Sequence, residues 1–475
     1  MQRTAVLNVV GLTRALLGTH TPRLSAFRST GTLTQIEPAF PAVTCTAQAN
    51  YLTGAEPSTH GIVGNGWYHR EQAEVQFWKQ SNHLVQSRKI WDLLREQNPA
   101  FTCANLFWWY NMYSAVDFSI TPRPLYPADG RKVFDIHCWP YSIRGAIKKD
   151  LGAFPFPAFW GPAAGRDSPA GAPDAVSKWI ADSARWVENR YSPTLSLVYL
   201  PHLDYDLQRL GPGHPEINKD LERIDEITGS LIDFYSERGV QVVVVSEYGI
   251  TDVNHPVHLN RLFRNQGWLT VKDELGLEIL DAGASRVFAV ADHQVAHVYL
   301  NDRMLEPEVF RLLNGTAGVG RVLGHEEQQA IGIRHARSGD LVVEAADGAW
   351  FTYYYWLDDA LAPDFARCVD IHRKPGYDPV ELFLNPGLKF PRLQILGRLL
   401  RSRLGFRTLM DLIPLDATLV KGSHGRVSGS PDQFPVLITQ EKTGAVARLK
   451  STQVQGVLRG LILGREAQQP ESELR

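Results

Sequence analysis

The sequence predicts an α/β protein built on a mainly parallel, doubly wound sheet that is flanked by helices and carries an inserted cap region. Short apolar runs that end in polar or glycine residues are typical of buried parallel strands. Four such runs are present: Ala5 to Val10, Leu195 to Leu200, Val240 to Val245 and Ala417 to Val420. Apolar residues recur three and four positions apart from Ala175 to Arg190 and from Pro215 to Arg238, which predicts helices there. Strands that alternate with helices indicate a doubly wound fold.

Polar and glycine residues follow the predicted strands at short distances. They are Gly11, Asp204, Glu247 and His424. In open α/β sheets, ligands bind beyond the carboxyl ends of the strands. We therefore expect these residues to border one crevice, although they are far apart in the sequence.

Composition divides the chain into a core with two insertions. The segment 108–171 is dense in proline, glycine and aromatic residues, which predicts a lid-like insertion. The predicted organisation is an α/β core in 1–265 that includes this lid, a cap in 266–375, a return to the core in 376–465 and a flexible tail in 466–475. The cap contains strand-like pieces at Arg286 to Ala291, His297 to Leu300, Asp340 to Glu344 and Trp350 to Trp356.

The overall composition excludes several classes of protein. Of the 475 residues, 44% are hydrophobic and 21% are charged, which argues against a disordered or membrane-spanning chain. A formal net charge of -2 without a long run of Lys and Arg argues against a nucleic-acid polymer as partner. The apolar stretch Ala5 to Leu12 is too short for a signal-peptide core and is broken by Asn8, so we expect a cytoplasmic protein.

The most informative motif lies in two neighbouring segments, Pro38 to Gly54 and Ser58 to Asn65. Thr44 opens a predicted helix, a Thr-Gly pair ends it, and His-Gly-Ile and then Asn65 follow. This pattern resembles the nucleophile region of the nucleotide pyrophosphatase/phosphodiesterase (type I phosphodiesterase) branch of the alkaline-phosphatase superfamily. The resemblance implies an alkaline-phosphatase-like fold with Thr44 as the catalytic nucleophile and Asn65 as a contact to the substrate phosphate.

The start of a helix suits a residue that attacks phosphorus. Free backbone N–H groups and the helix dipole favour a phosphate at that place. The alternative is that Thr44 is an ordinary N-cap, which is the commonest role of a threonine before a helix. The flanking motif favours the nucleophile.

The family that the motif resembles removes the threonine proton with two zinc-like ions. Their ligands are an aspartate at the end of the first strand, an Asp-x-x-x-His motif, an Asp-His pair and a late Ser-His-Gly motif. This chain keeps Asp204 and His424 at the matching positions. The other matching positions carry Val10, Gln208, Glu247 and Tyr248. The resemblance implies a divalent metal, zinc by analogy, as one or two ions held by Asp204, His424 and Glu247, with Gln208 as a further candidate.

Other polar residues are candidates for completing such a site. Alternation along a strand would put Asn8 on the same face as Val10 and His202 on the same face as Asp204. His258 follows Glu247 closely enough to return to the same crevice and is the preferred extra metal ligand. A histidine in such a position is also commonly a hydrogen-bonded core or surface residue.

Two further clusters have two interpretations each. The stretch Asp370 to Gly376 gathers charge and glycine, as a phosphate or carboxylate contact would, but a surface turn has the same composition. The aromatic runs Phe107 to Tyr110 and Trp350 to Trp356 either stack on a planar ligand or pack in the core, and the composition favours the core.

These observations predict a metal-dependent hydrolase of phosphodiester or phosphomonoester bonds that acts on a small phosphorylated molecule. Thr44 attacks phosphorus, a metal on Asp204 and His424 polarises the oxygens, and Asn65 orients the phosphoryl group. One alternative is a family member that binds a phosphorylated or anionic molecule without hydrolysing it, because several ligand positions are substituted. Another is a hydrolase of a related ester such as sulfate or phosphonate.

Overall fold

The computed structural model describes residues 1–404, 406, 408–427, 429–440 and 447–464. The strands within these residues are β1 (Thr4–Val9), β2 (Thr32–Glu37), β3 (Gly66–His69), β4 (Glu74–Phe77), β5 (Cys103–Leu106), β6 (Phe118–Pro122), β7 (Ile136–Trp139), β8 (Leu195–Leu200), β9 (Gln241–Val245), β10 (Thr251–Asp252), β11 (His255–Val257), β12 (Val271–Glu274), β13 (Leu277–Leu280), β14 (Val287–Asp292), β15 (Val295–Leu300), β16 (Val319–Leu323), β17 (Leu341–Ala345), β18 (Ala349–Phe351), β19 (Gly422–Ser423), β20 (Val436–Thr439) and β21 (Arg448–Lys450). The helices are α1 (Pro22–Thr30), α2 (Thr44–Thr53), α3 (Pro57–His60), α4 (Ile90–Gln97), α5 (Ser142–Leu151), α6 (Ala175–Tyr191), α7 (His202–Leu210), α8 (Ile217–Ser236), α9 (Leu259–Asn265), α10 (Glu306–Asn314), α11 (His325–Ala330), α12 (Pro391–Arg403) and α13 (Val454–Leu463).

A central sheet of nine strands has the order β21-β2-β20-β9-β1-β8-β5-β6-β7. The middle strands β9, β1, β8, β5 and β6 are mutually parallel, whereas β20 and β7 run antiparallel to their neighbours. Every residue of β1, β8 and β9 is buried, as expected for valine- and leucine-rich strands that are covered on both faces. The predicted fold class is therefore confirmed.

The register of the middle strands explains how distant residues meet. β1 pairs with β8 on one side and β9 on the other, so Asn8 lies opposite both Tyr199 and Val245. The carboxyl ends of these strands are therefore side by side. Asp204 lies in the helix that follows β8, and Glu247 lies two residues after the end of β9. Both residues are therefore near the same edge of the sheet.

Three of the four predicted strands and both predicted helices are present. The fourth prediction was wrong, because Ala417–Leu419 forms a 3-10 turn in which the Asp416 side chain accepts a hydrogen bond from Thr418 N. This run has only four residues, three of them apolar, and is too short for its hydrophobic pattern to distinguish a strand from a capped turn. The late strand that does enter the central sheet is β20, which lies antiparallel between β2 and β9.

The segment 108–171 contributes to the central sheet as well as to the surroundings of its edge. Its strands β6 and β7 form the outer end of the nine-stranded sheet. Phe159 and Trp160, which come later in the same segment, line a pocket at the carboxyl edge. The segment predicted as a lid-like insertion thus also supplies two strands of the central sheet.

A second, antiparallel sheet has the order β14-β15-β17-β16. It packs within a separate hydrophobic core that includes Trp350, Tyr353 and Trp356. The strand predicted from Trp350 to Trp356 is shorter in the structure. Only its first two residues belong to a strand, β18, which spans Ala349–Phe351. Within the part of the chain that the structure describes, there is no helix with the length and apolarity required to cross a bilayer. The predicted flexible tail, 466–475, lies outside the described residues.

Candidate active site

A pocket lies at the carboxyl edge of the central sheet. Thr44, Asp204, Tyr248 and His424 line its polar side. The remaining wall is largely aromatic and includes Trp78, Trp109, Phe159, Trp160, Tyr199 and Tyr377. Of the described residues that border this pocket, none is Lys or Arg. Of the residues predicted to border one crevice, Asp204 and His424 therefore line this pocket, whereas Gly11 and Glu247 do not.

Thr44 is the first residue of α2 and is not its N-cap. The N-cap is Val43, which has an extended backbone and makes no side-chain hydrogen bond to the helix. The hydroxyl of Thr44 instead lies 3.1 Å from the hydroxyl of Tyr248. The N-cap alternative is thus not the conformation that the structure adopts.

A chain of hydrogen bonds runs from Thr44 through Tyr248 to Asp204. The Tyr248 hydroxyl donates to Asp204 Oδ1 at 3.1 Å. Because that bond uses its single proton, the Thr44 hydroxyl is the donor to Tyr248. Burial raises the pKa of Asp204 to about 7, although hydrogen bonds from Tyr248 and Gln208 lower it. The arrangement therefore places a carboxylate that can accept a proton near neutral pH at the end of a two-bond path from Thr44.

Gln208 donates a hydrogen bond to the other oxygen of the Asp204 carboxylate. Its Nε2 donates to Asp204 Oδ2 at 2.9 Å, and its Oε1 accepts from the Tyr377 hydroxyl at 3.1 Å. Asp204 and Gln208 are one turn apart on α7, so the helix itself brings them together. Both oxygens of Asp204 therefore accept hydrogen bonds from neutral groups.

His424 lies in a stack of rings. Its ring lies 3.6 Å from that of Tyr248, centroid to centroid and nearly parallel, and 3.7 Å from that of His293. His424 Nδ1 donates to the carbonyl of Ala42 at 2.7 Å. Burial lowers the pKa of His424 and of His293 well below the ordinary histidine value, so both rings are neutral at pH 7.

Glu247 is buried beside Thr44 and is held by two amides. Its Oε1 accepts from Asn8 Nδ2 and from Gln48 Nε2, the latter at 2.6 Å. Burial raises the pKa of Glu247 to about 8, while hydrogen bonds from Gln48 and Asn8 lower it. At neutral pH this carboxyl is therefore mostly protonated, and Asn8 acts as its partner.

Replacing Glu247 by glutamine is expected to change how stability depends on pH. The folded protein keeps the Glu247 proton up to about pH 8, whereas the unfolded chain loses it near the ordinary glutamate pKa of 4.5. Wild-type stability therefore falls as pH rises between these values, and Glu247→Gln removes that fall. Urea denaturation from about pH 5 to about pH 9 should show the advantage of the variant growing and then levelling above pH 8. Parallel stability curves for the two proteins would contradict the assigned pKa.

Asn65 supports the start of α2 and does not border the pocket. Its Oδ1 accepts from Cys45 N at 3.0 Å, and its Nδ2 donates to Asp292 Oδ1 at 3.0 Å. Its backbone N–H also donates to Asp292 Oδ2 at 2.7 Å. Asn65 thus connects the first turn of α2 to the end of β14, and the predicted contact with a substrate phosphate stays a prediction.

Two histidines predicted to complete the site point elsewhere. His258 lies at a separate cavity, where its Nδ1 is 2.7 Å from Thr352 Oγ1 and its ring stacks on Tyr354. The expectation that His258 joins the crevice is corrected, because β11 and the turn after it lead toward β18. His202 pairs with Asp220 on α8. It lies on a helix with Asp204 and not on a strand, so alternation with period two does not apply.

The Asp370 to Gly376 cluster supports the pocket wall from inside the protein. Lys374 is buried and pairs with Asp378 and Glu381, each at 2.7 Å. Glu381 Oε2 accepts from the indole nitrogen of Trp160 at 2.6 Å. Burial lowers the pKa of Lys374, but the two carboxylates raise it by more, so the lysine stays charged. This charge network, which Lys374 joins from the turn, positions an aromatic residue of the pocket wall.

Sequence reasoning missed residues that act through tertiary contacts. Tyr248 was recognised only as a substituted histidine, yet its phenol joins Thr44 to Asp204. Tyr377 reaches Gln208 from a segment beyond the predicted cap, and Asp292 anchors Asn65 from the end of β14. The available signal was that Asp292 ends a strongly apolar strand-like run, where polar residues often border a site.

The central sheet and the pocket at its carboxyl edge have the organisation of an alkaline-phosphatase-like α/β protein. Residues 4–378 match the type I phosphodiesterase / nucleotide pyrophosphatase family. This match spans most of the chain, so the protein belongs to that family. The resemblance inferred from the Thr44 motif is thereby confirmed.

Solved structures that share this fold include a phosphonoacetate hydrolase and an ectonucleotide pyrophosphatase / phosphodiesterase. The phosphonoacetate hydrolase of Sinorhizobium meliloti 1021, in complex with phosphonoformate, superposes with a TM-score of 0.61 at 14% identity and covers 97% of this chain and 96% of its own. Murine ectonucleotide pyrophosphatase / phosphodiesterase 5, as an inactive form in complex with AMP, gives a TM-score of 0.57 at 14% identity over 99% of this chain and 96% of its own.

A curated relative matches part of the chain. An uncharacterized pyrophosphatase/phosphodiesterase of Schizosaccharomyces pombe is 24% identical over 235 residues, which are 48% of this chain. The match spans 40% of that relative's length.

Members of the family generally depend on divalent metal ions. The residues present here do not fit such a centre. Among the described residues, no group of three or more His, Cys, Asp or Glu side chains is arranged to hold a metal ion. Each oxygen of Asp204 already accepts a hydrogen bond, one from Tyr248 and one from Gln208, and the Tyr248 phenol lies between Thr44 and Asp204. Neutral phenol and amide groups are poor ligands for zinc compared with imidazole and carboxylate. In this structure Asp204, His424 and Glu247 are therefore not arranged to hold a metal ion together, and their role as ligands stays a prediction.

Proposed function

We propose that this protein hydrolyses small phosphodiesters that carry an aromatic group, with Thr44 as the nucleophile and without a resident metal pair. The observation that carries the proposal is the hydrogen-bonded path from the Thr44 hydroxyl through Tyr248 to Asp204. It resembles a catalytic triad in its logic, because a nucleophilic hydroxyl donates to a group that is itself oriented by a carboxylate.

The proposed reaction has two steps. As Thr44 Oγ bonds to phosphorus, its proton passes to the Tyr248 oxygen and the Tyr248 proton passes to Asp204, so that no free tyrosinate forms. The bond from phosphorus to one alcohol breaks, and that alcohol leaves as its anion. Water then attacks phosphorus and releases one proton, which neutralises the alcohol anion in solution. The bond from phosphorus to Thr44 breaks, the proton held by Asp204 returns through Tyr248 to Thr44, and the phosphomonoester leaves.

The charges in the pocket favour a diester over a monoester. Asp204 is the one acidic side chain among the described lining residues, His293 and His424 are neutral, and none of these residues is Lys or Arg. A doubly charged monoester would therefore enter without a cation to offset the loss of hydration. A diester carries one negative charge, and its aromatic group can pack against Trp78, Trp109 and Trp160.

Hydrolysis of a chromogenic aryl phosphodiester by purified protein in the presence of EDTA tests the function. We expect turnover of the diester that EDTA does not remove, and slower turnover of the matching monoester. Activity that disappears with EDTA and returns with zinc would contradict a reaction that uses the chain's own residues alone.

Replacing Tyr248 by phenylalanine is expected to lower kcat by about 10²-fold while KM changes little. The ring that stacks on His424 is kept, and only the hydroxyl that connects Thr44 to Asp204 is lost. Steady-state kinetics on the same diester measures both constants. Tyr51→Phe is a matched control, because the buried Tyr51 hydroxyl bonds the Ser246 carbonyl and Tyr51 does not line the pocket. An unchanged kcat in Tyr248→Phe would remove Tyr248 from the reaction.

Binding without hydrolysis is the second candidate function. It is favoured by the mutual satisfaction of Thr44, Tyr248, Asp204 and Gln208, which leaves the polar groups of the pocket hydrogen-bonded to one another. Calorimetric titration with an aryl phosphodiester that is not turned over would support this function. Binding with measurable release of the alcohol would support the hydrolase.

A further inference from the structure

Exposed apolar side chains concentrate in one segment of the surface, residues 384–409, which contains α12. Twenty-two large apolar residues of the described chain are exposed, and eight of them lie in these 26 positions. They are Leu384, Phe390, Leu393, Leu396, Leu400, Leu404, Phe406 and Leu409. Scattered exposed leucines need no explanation, but a contiguous set marks an interaction surface.

The leucines of α12 form a stripe that faces away from the protein. Leu393, Leu396 and Leu400 are spaced three and four apart, so they lie on one face of the helix. Their exposed fractions are 66%, 53% and 50%, and Leu404, one turn further on, is 75% exposed. A helix at the surface of a globular protein normally turns such a stripe toward the core. Here the stripe is unpartnered.

The same segment is strongly basic. From Phe383 to Met410 the sequence contains six Lys and Arg residues and no Asp or Glu, in a chain whose formal net charge is -2. Lys389 and Arg401 are exposed. Arg398 alone of the described basic side chains in this segment is engaged in an ion pair, with Asp411 beyond its end. A leucine stripe with basic residues around it is the pattern of a helix that lies in a membrane interface.

We propose that residues 384–409 dock on an anionic lipid surface, with Leu393, Leu396 and Leu400 at the boundary between headgroups and acyl chains. Lys389 and Arg401 then face lipid phosphates. Charge complementarity selects this occupant over a second copy of the chain. A two-fold symmetric dimer through this face would bring the exposed Lys389 and Arg401 of each copy against the same basic patch of the other, since the patch meets itself. The surface is independent of the function proposed for the pocket.

Cosedimentation of the full chain with vesicles of phosphatidylglycerol and phosphatidylcholine tests the docking. The wild type should bind these vesicles more tightly than vesicles of phosphatidylcholine alone, and sodium chloride should weaken the binding. The triple variant Leu393→Gln, Leu396→Gln, Leu400→Gln should lose at least about tenfold in partition coefficient. Arg401→Gln should lose about fivefold, because one basic residue near an anionic surface contributes that much.

An exposed leucine outside this segment provides the control. Leu275→Gln changes a fully exposed leucine in the β12–β13 turn and should leave vesicle binding unchanged. Glutamine and leucine have similar helix propensity, so thermal unfolding of the triple variant should match the wild type. The proposal is overturned if the wild type does not bind phosphatidylglycerol vesicles or if the triple variant binds them equally well. It is also overturned if sedimentation velocity finds a wild-type dimer that the triple variant converts to monomer.

Discussion

Replacing Thr44 by alanine is expected to lower kcat/KM for an aryl phosphodiester by at least about 10⁴-fold. The substitution removes the only atom of this side chain that can bond phosphorus, and it leaves Tyr248 and Asp204 hydrogen-bonded to each other. Binding of the substrate should change much less, because the aromatic wall of the pocket is untouched. Initial rates of chromophore release measure the effect, and single-turnover experiments with wild-type protein should show a phosphothreonine by mass spectrometry.

Two variants separate the loss of the nucleophile from damage to the helix. Thr44→Ser keeps a hydroxyl at the same position and should retain activity within about tenfold of the wild type. Thr46→Ala makes the same change at a buried position in the same helix, where the hydroxyl donates to the Ile62 carbonyl, and should leave kcat/KM nearly unchanged. If Thr44→Ala and Thr46→Ala lose activity equally, Thr44 supports the fold and is not the nucleophile.

Replacing Lys374 by methionine is expected to lower the free energy of unfolding by about 3–5 kcal/mol. The lysine is buried, and the variant leaves Asp378 and Glu381 without their cation in the protein interior. Because Glu381 also bonds the Trp160 indole, the pocket wall should loosen and KM should rise more than kcat falls. Urea denaturation and steady-state kinetics measure the two effects.

A matched lysine shows whether burial causes the effect. Lys178 forms an exposed ion pair with Asp182 on α6, and Lys178→Met should change stability by less than about 1 kcal/mol. Adding Asp378→Asn and Glu381→Gln to Lys374→Met should recover part of the lost stability, because no uncompensated charge then remains. Equal effects of Lys374→Met and Lys178→Met would mean that the buried network contributes little.

The strand ends show where sequence reasoning about the site succeeded. Asp204 and Glu247 were expected at one crevice because they follow apolar runs, and the paired registers of β1, β8 and β9 bring those ends together. The place of His424 in the site could be predicted only from the Ser-His-Gly motif, because the run before it is a 3-10 turn and not a strand. His258 was misplaced for a related reason, since closeness in sequence to Glu247 does not fix the direction of the turn between them.

The amino-acid sequence was sufficient for the α/β class, the principal parallel strands and the family, because burial periodicity and local motifs are properties of neighbouring residues. Three-dimensional packing was required to learn that a phenol, rather than a cation, joins Thr44 to Asp204. It was also required to find that Lys374 is buried and that the leucines of α12 are exposed. These features depend on side chains brought together from distant segments, or left without a partner by them, and no local pattern encodes that choice.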